Sequence, residues 1–243
     1  MRNDHTYGRF IEDGFAYEIT DSGTPKPWTN VVCNGRYGFV VSQNGGGFSW
    51  LDNSQLNVLT RWEMDLIEDR AGKHLYILDT ESGEVWSAAP SPCRVAYDHY
   101  ACRHAPGSTT FSTKYAGIRA EWTMTVAPDA QVEIWALRLL NESGRPRSLR
   151  VVSYLEWCLG VAPDSKREFH RLFIGTEYDT KLCRMYARKV MWDVPSNKEK
   201  DHWNQGWPFV AAHQCIVEGE HETFAVGDKA VFIGRGTREK PAA

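Results

Sequence analysis

The 243-residue sequence lacks any run approaching about 18 consecutive apolar residues, and its first residues, Met-Arg-Asn-Asp-His-Thr-Tyr-Gly, contain no apolar stretch of the kind a secretory leader needs. The expectation is a cytoplasmic chain with no membrane span. Excess positive charge is also missing: 28 Lys and Arg against 31 Asp and Glu give a net charge of −3, so no basic field draws nucleic acid or an anionic membrane. There is no CxxC pair. The six cysteines (Cys33, Cys93, Cys102, Cys158, Cys183, Cys215) are scattered, which in a chain without a leader reads as reduced core thiols rather than a disulfide framework or a zinc site. Cys102 and His104 share a strand face but make at most half a metal site, so no metal is assigned. No cofactor motif is found either: Asn44-Gly45-Gly46-Gly47 has no following Lys-Ser/Thr and no helix to hold a phosphate, and reads as a hairpin turn. Internal repeats, low-complexity tracts and long helical stripes are all missing.

What the sequence does have is period two. Between Val126 and Gly160, apolar residues alternate at Val132, Ile134 and Ala136, with Trp135 and Leu137 on the other face. A second alternating run follows the turn Asn141–Pro146 at Leu149, Val151, Ser153 and Leu155, so the segment is expected to form a hairpin of two long strands. Further strands are expected at Tyr17–Thr20, Tyr37–Ser42, Phe48–Trp50, Leu75–Leu78, Glu84–Ser87, Gly107–Tyr115, Ile118–Val126, Phe169–Glu177 and Leu182–Lys189, with a surface loop at Pro195–Trp203. The fold class is therefore all-β and antiparallel. At 42% hydrophobic the chain buries a substantial core, and residues 1–243 are read as one domain.

Aromatic residues make up 12% of the chain. Many suit a sandwich core, but several stand beside amides, acids and turn residues: Pro27-Trp28-Thr29-Asn30, Phe48 to Asn53, Arg61-Trp62-Glu63, and His202-Trp203-Asn204-Gln205-Gly206-Trp207. A Trp ring covers the C–H face of a pyranose while planar polar groups bond its hydroxyls, so this pairing points to a sugar cleft. Asp13, Glu63, Glu156 and Glu168 are the carboxylates available as halves of an acid/base pair, whose separation a sequence does not give. Asp98-His99 and Cys102-His104 come with no nucleophile elbow around any serine.

Taken in order, Tyr7-Gly8-Arg9-Phe10, TPKPWTNVVCNGRYGFVVSQNGGGFSW (Thr24 to Trp50), LTRW (Leu59 to Trp62), GEVWS (Gly83 to Ser87), YACRHAPGSTTF (Tyr100 to Phe111) and SGRPRSLRVVSYLEWCLG (Ser143 to Gly160) resemble the N-terminal domain of glycoside hydrolase family 94. This family, formerly glycosyltransferase family 36, holds inverting cellobiose, cellodextrin and chitobiose phosphorylases and the phosphorylase-like part of cyclic β-1,2-glucan synthases. The resemblance implies a galactose mutarotase-like β-supersandwich of two large antiparallel sheets. In the complete enzymes it precedes a helical linker and an (α/α)₆ barrel, which carries the general-acid Asp and the phosphate-binding residues. Residues 1–243 are accordingly expected to be a domain truncated before linker and barrel, with no catalytic residue and no phosphorolysis on its own.

The resemblance further implies that Asp164 to Arg171 approaches the mouth of the active site. Lys166, Arg167 and His170 are the cleft candidates there, and Asn53, Arg61 and Trp62 form the other group. Cellobiose-type enzymes carry an Asn-rich version of the first loop, so its Lys, Arg and His speak against cellobiose as the substrate. Three functions are carried forward: the N-terminal domain of a disaccharide or oligosaccharide phosphorylase, the equivalent region of a cyclic β-1,2-glucan synthase, and a free-standing carbohydrate-binding module. The expected partners are a β-linked glucose or N-acetylglucosamine oligosaccharide, the barrel of the same polypeptide and a second copy of the chain.

Overall fold

In Ile118–Val126 every second residue (Ile118, Ala120, Trp122, Met124, Val126) is buried, while Arg119 and Glu121 between them are not. That is what a half-buried antiparallel strand requires. The computed structural model describes residues 6–63, 65–69, 71–191, 206–219 and 221–242, and the expected loop Pro195–Trp203 and the motif His202–Gln205 lie outside them. The described strands, in chain order, are β1 (Gly8–Ile11), β2 (Ala16–Ile19), β3 (Thr29–Cys33), β4 (Tyr37–Ser42), β5 (Gly47–Leu51), β6 (Val58–Thr60), β7 (His74–Asp79), β8 (Val85–Ser87) and β9 (His99–Ala105). They continue with β10 (Ser108–Tyr115), β11 (Ile118–Val126), β12 (Glu133–Asn141), β13 (Leu149–Tyr154), β14 (Trp157–Gly160), β15 (Ile174–Asp179), β16 (Arg184–Lys189) and β17 (Ala211–Gln214). One short helix, α1 (Lys229–Ile233), follows, capped by the Asp228 side chain, which accepts from the Ala230 N–H at 2.7 Å.

Hydrogen bonding groups the strands into a six-stranded sheet (β1-β2-β9-β10-β11-β12), a five-stranded sheet (β14-β6-β5-β4-β3) and two three-stranded sheets (β13-β7-β8 and β15-β16-β17). One buried cluster joins Ile19, Cys102, Phe111, Trp122 and Met124 of the first sheet to Val32, Phe39 and Val41 of the second and Leu75, Ile77 and Trp86 of the third. Sheet thus packs on sheet through their apolar faces. The hairpin β4–β5 turns at Asn44–Gly47, where Gly47 has φ +142° and a Cβ would meet the Val40 carbonyl oxygen, so only glycine fits. The β15–β16–β17 sheet joins through a second cluster, Ala187 and Ala211 against Leu51, Leu59 and Leu159.

Three expectations are corrected. The two runs flanking Asn141–Pro146 are strands, but they do not pair with each other: β12 pairs with β11 (Trp122↔Leu137) and β13 with β7 (Ile77↔Val151). The connection crosses between sheets because Arg147, with 5% of its side chain exposed, donates from Nε to Asp79 at 2.8 Å and from Nη1 to the Ala116 carbonyl at 2.7 Å. That fork replaces a turn, and Asp79, bonded by the Glu81 N–H and by Arg147 against the opposing effect of burial, stays below the usual carboxylate range. Second, Phe169–Phe173 lies in a 3₁₀ turn (Glu168–Phe173) and only from Ile174 onward is the segment a strand. Third, only Cys102 and Cys158 are buried; Cys33 and Cys215 are exposed, and Cys93 and Cys183 half-buried.

Candidate functional site

The end of β6 meets the β13–β14 junction through the Arg61 N–H, which donates to the Glu156 carbonyl at 2.6 Å. The Arg61 guanidinium is 9% exposed; its Nη2 donates to Glu63 at 2.6 Å and to Glu168 at 2.9 Å, and its Nη1 lies 3.5 Å from Glu156. Glu156 is the hub. It accepts from the Tyr154 hydroxyl, Lys229 and Arg238, each at 2.8 Å, and Arg171 stands 3.8 Å away. Burial works to raise the Glu156 carboxyl, but the Lys229 hydrogen bond and the Arg238 and Lys229 charges outweigh it and hold the group below its ordinary range, so it is an anion.

This network ties the C-terminal segment to the sandwich. Phe232 of α1 packs between Tyr76 and Tyr154, with ring centroids at 5.6 and 5.2 Å, and the Tyr76 hydroxyl donates to the Arg238 carbonyl at 2.8 Å. Beside it opens a cavity of about 470 Å³ lined by Glu63, Asp65, Glu68, Ala71, Thr237, Arg238 and Glu239. Among the described residues four acids and one base line it, and Glu63 is paired with Arg61.

The Asp164–Arg171 loop is built on a second polar cluster. Asp164 accepts from Arg167 at 2.8 Å through one oxygen and from the buried Lys189 of β16 at 2.8 Å through the other. Lys189 also donates to His170 Nδ1 at 3.0 Å. Burial first, then the Lys189 charge, lower the His170 pKa, so the ring is neutral at pH 7. Gly160 of β14 admits this cluster, since a Cβ there would lie 2.9 Å from Lys189 Nζ. Burial among these groups pushes the Cys158 thiol up to about 12, which leaves it un-ionised.

The six residues singled out from sequence fall as follows. Arg61 centres the carboxylate network. Trp62 is half-buried, its ring stacked on Phe48 at 4.9 Å and 17°. Asn53 is exposed in the turn after β5, where its side-chain oxygen accepts from the Gln55 and Leu56 N–H groups; that turn touches the second loop, because the Ala162 N–H donates to the Gln55 carbonyl at 2.7 Å. Lys166 is exposed, Arg167 half-buried on Asp164, and His170 2% exposed. Of the four carboxylates, Glu63, Glu156 and Glu168 converge on Arg61, whereas Asp13 sits in the turn after β1. Sequence reasoning missed Arg171, Lys229 and Arg238 as partners of Glu156, as well as a buried cluster in which Glu133 accepts from Lys73, Ser49, Tyr37 and Trp135. No spacing signals either set, since each joins residues from distant parts of the chain. Among the described residues no cluster of His, Cys, Asp and Glu is arranged to hold a metal ion, and no helix is long and apolar enough to cross a membrane.

Residues 15–243 match the family model described as the glycosyl hydrolase 94 supersandwich domain. The chain is 32% identical over 177 residues to N,N'-diacetylchitobiose phosphorylase of Vibrio furnissii, covering 71% of this chain and 22% of that protein. It is 33% identical over 184 residues to the cyclic beta-(1,2)-glucan synthase NdvB of Rhizobium meliloti (strain 1021), covering 74% of this chain and 6% of that one. With 3-O-beta-D-glucopyranosyl-beta-D-glucuronide phosphorylase of Paenibacillus borealis it shares 30% identity over 244 residues, all of this chain and 29% of the relative. It therefore spans less than a third of the length of these relatives. With a match over nearly its whole length on an all-β framework, the chain belongs to glycoside hydrolase family 94, as its supersandwich domain.

Proposed function

We propose that the chain is the N-terminal, two-sheet supersandwich part of an inverting phosphorylase, the complete protein cleaving a β-linked glucoside or N-acetylglucosaminide with inorganic phosphate to an α-sugar 1-phosphate. The observation that supports this reading is a likeness along all of this chain to part of a relative named as a phosphorylase. Within it, the Arg61 network and the Asp164–Arg171 loop border the sugar cleft. Carboxylates of the network accept from sugar hydroxyls, Arg61 and Arg167 supply planar donor forks, and the Trp62 face offers stacking area. In this reading the chemistry is supplied by another part of the polypeptide, and this domain acts in binding and support.

The likeness to NdvB favours a second reading, the corresponding region of a cyclic β-1,2-glucan synthase. A carbohydrate-binding module without catalysis is the third. The test is to incubate the full-length polypeptide with inorganic phosphate and β-linked disaccharides of glucose, glucuronic acid and N-acetylglucosamine and to measure sugar 1-phosphate. Release from one disaccharide supports the phosphorylase. Cyclic glucan in place of sugar 1-phosphate supports the synthase, and saturable sugar binding without turnover supports the module.

A further inference from the structure

Cys183 and Cys215 stand opposite each other at the open end of the β16–β17 ladder. The register runs Ala187↔Ala211, Tyr186↔Ala212, Met185↔His213, Arg184↔Gln214, and just beyond it the Cys215 N–H donates to the Cys183 carbonyl at 3.2 Å. Cys183 closes the turn before β16 with a left-handed backbone, φ 48°, and the hydrogen bond holds the two backbones at the spacing of a bonded pair, about 5.5 Å between Cα atoms. That separation falls inside the roughly 4.4–6.8 Å window a disulfide bridges. Cys215 is exposed and Cys183 half-buried, and both are free thiols. The Cys183 sulfur lies 3.3 Å from the Thr223 hydroxyl. Cys102 and Cys158, by contrast, are buried and single.

We propose that Cys183 and Cys215 are a reversible dithiol/disulfide pair, a redox modification site on the β15–β16–β17 sheet. The oxidant is a small-molecule disulfide of the glutathione class. The exposed Cys215 thiolate attacks one oxidant sulfur, forming a mixed disulfide and releasing one thiol; the Cys183 thiolate then attacks the Cys215 sulfur and displaces the second. Two protons and two electrons leave the cysteine pair, and the oxidant is reduced to two thiols. The bridge ties the start of β16 to the residue after β17, and the other end of β16 carries Lys189 and through it Asp164 and His170. Its position at a solvent-exposed ladder end makes it reducible, as exposed bridges are.

The test is to equilibrate the full chain with reduced and oxidised glutathione at varied ratios, alkylate the remaining thiols, and read intact mass and linked peptides. The expected result is a loss of two alkylatable thiols and of about 2 Da, the two hydrogens of the thiols, with a Cys183–Cys215 linked peptide that dithiothreitol removes. In Cys183→Ser the reaction should stop at a glutathione adduct on Cys215, while Cys33→Ser should behave as wild type. Wild-type protein that retains an unresolved adduct on Cys215, links any other pair, or keeps all six thiols alkylatable would overturn the assignment.

Discussion

Glu133 opens β12 with its carboxylate almost fully buried, and among the described residues it is the acid bonded to the Lys73 ammonium, which is 2% exposed and lies 4.5 Å from the Phe39 ring centroid. Replacing Glu133 by Gln keeps the shape and leaves acceptor and donor positions for Ser49, Tyr37 and the Trp135 indole, so packing is preserved and what is lost is the charge opposite Lys73. Removing one partner of a buried pair costs about 3–5 kcal/mol, because the remaining charge stays in a low-dielectric site. For a domain of this size each kcal/mol lowers Tm by roughly 2–4 °C, so Glu133→Gln should melt roughly 6–20 °C below wild type. Adding Lys73→Met removes the stranded charge and should recover most of the loss. Burial already lowers the Lys73 pKa; without Glu133 it falls further. Between that value and the unfolded value near 10.4 the unfolded chain binds more protons than the folded one, so the deficit of the single variant should shrink as pH rises. Thermal melts and urea unfolding of the wild type, both single variants and the double variant check this. A Glu133→Gln protein within about 1 kcal/mol of wild type, or a double variant no better than that single, would refute the buried-pair argument.

Other expectations concern cleft, pH and assembly. In a full-length enzyme, Trp62→Ala and Arg167→Ala should change KM or acceptor preference, whereas Trp135→Ala, which removes a ring packed 5.6 Å from Trp122 and a hydrogen bond to Glu133, should mainly cost stability, about 3–5 kcal/mol; unchanged kinetics for every acceptor in the first two would remove those loops from the cleft. Burial lowers the pKa of His104, His170 and His213. Below the unfolded value near 6.5 the unfolded chain takes up protons that the folded chain refuses, so the histidine contribution should be constant above pH 7 and make stability fall toward pH 5, read by urea midpoints. A His170→Gln variant should show a shallower fall; an identical slope would count against its burial as a neutral ring. Finally, β12 ends the six-stranded sheet with Ile134 and Leu140 near half exposure, and an unpaired apolar edge drives association. Light scattering should show concentration-dependent self-association that Ile134→Lys weakens, and a monomer at every concentration would discount this edge as an interface.

Much of the strand plan is legible in the sequence because period two is a local property. Tyr37–Ser42 and Ile118–Val126 have the bounds that alternation and flanking turns indicate, and the Asp79–Gly83 turn joins β7 to β8 as its residues suggest. Pairing is less legible. Nothing in Asn141–Pro146 distinguishes a hairpin turn from a sheet-to-sheet crossing, since the deciding contacts come from Asp79 and Ala116, dozens of residues upstream. The segment Phe169–Phe173 carries two Phe and a Leu, yet His170 is drawn inward to Lys189, and the backbone tightens into a 3₁₀ turn to place it there. At the candidate site, Arg61, Glu63 and Glu168 could be named for their chemistry, but not their convergence on one guanidinium, nor the return of Lys229 and Arg238 to Glu156.

The sequence by itself determined the all-β class, most of the strands, the inward-facing residues of β11 and, through ordered motifs along nearly the whole chain, the family. These follow from side-chain alternation and turn chemistry, which act over a few residues. Only the tertiary structure decided which strands share a sheet, that Glu156 binds the C-terminal segment, and that the Cys215 N–H meets the Cys183 carbonyl. Each of those joins residues far apart in the chain, and which distant groups meet is settled by burying apolar faces while giving every buried charge a partner.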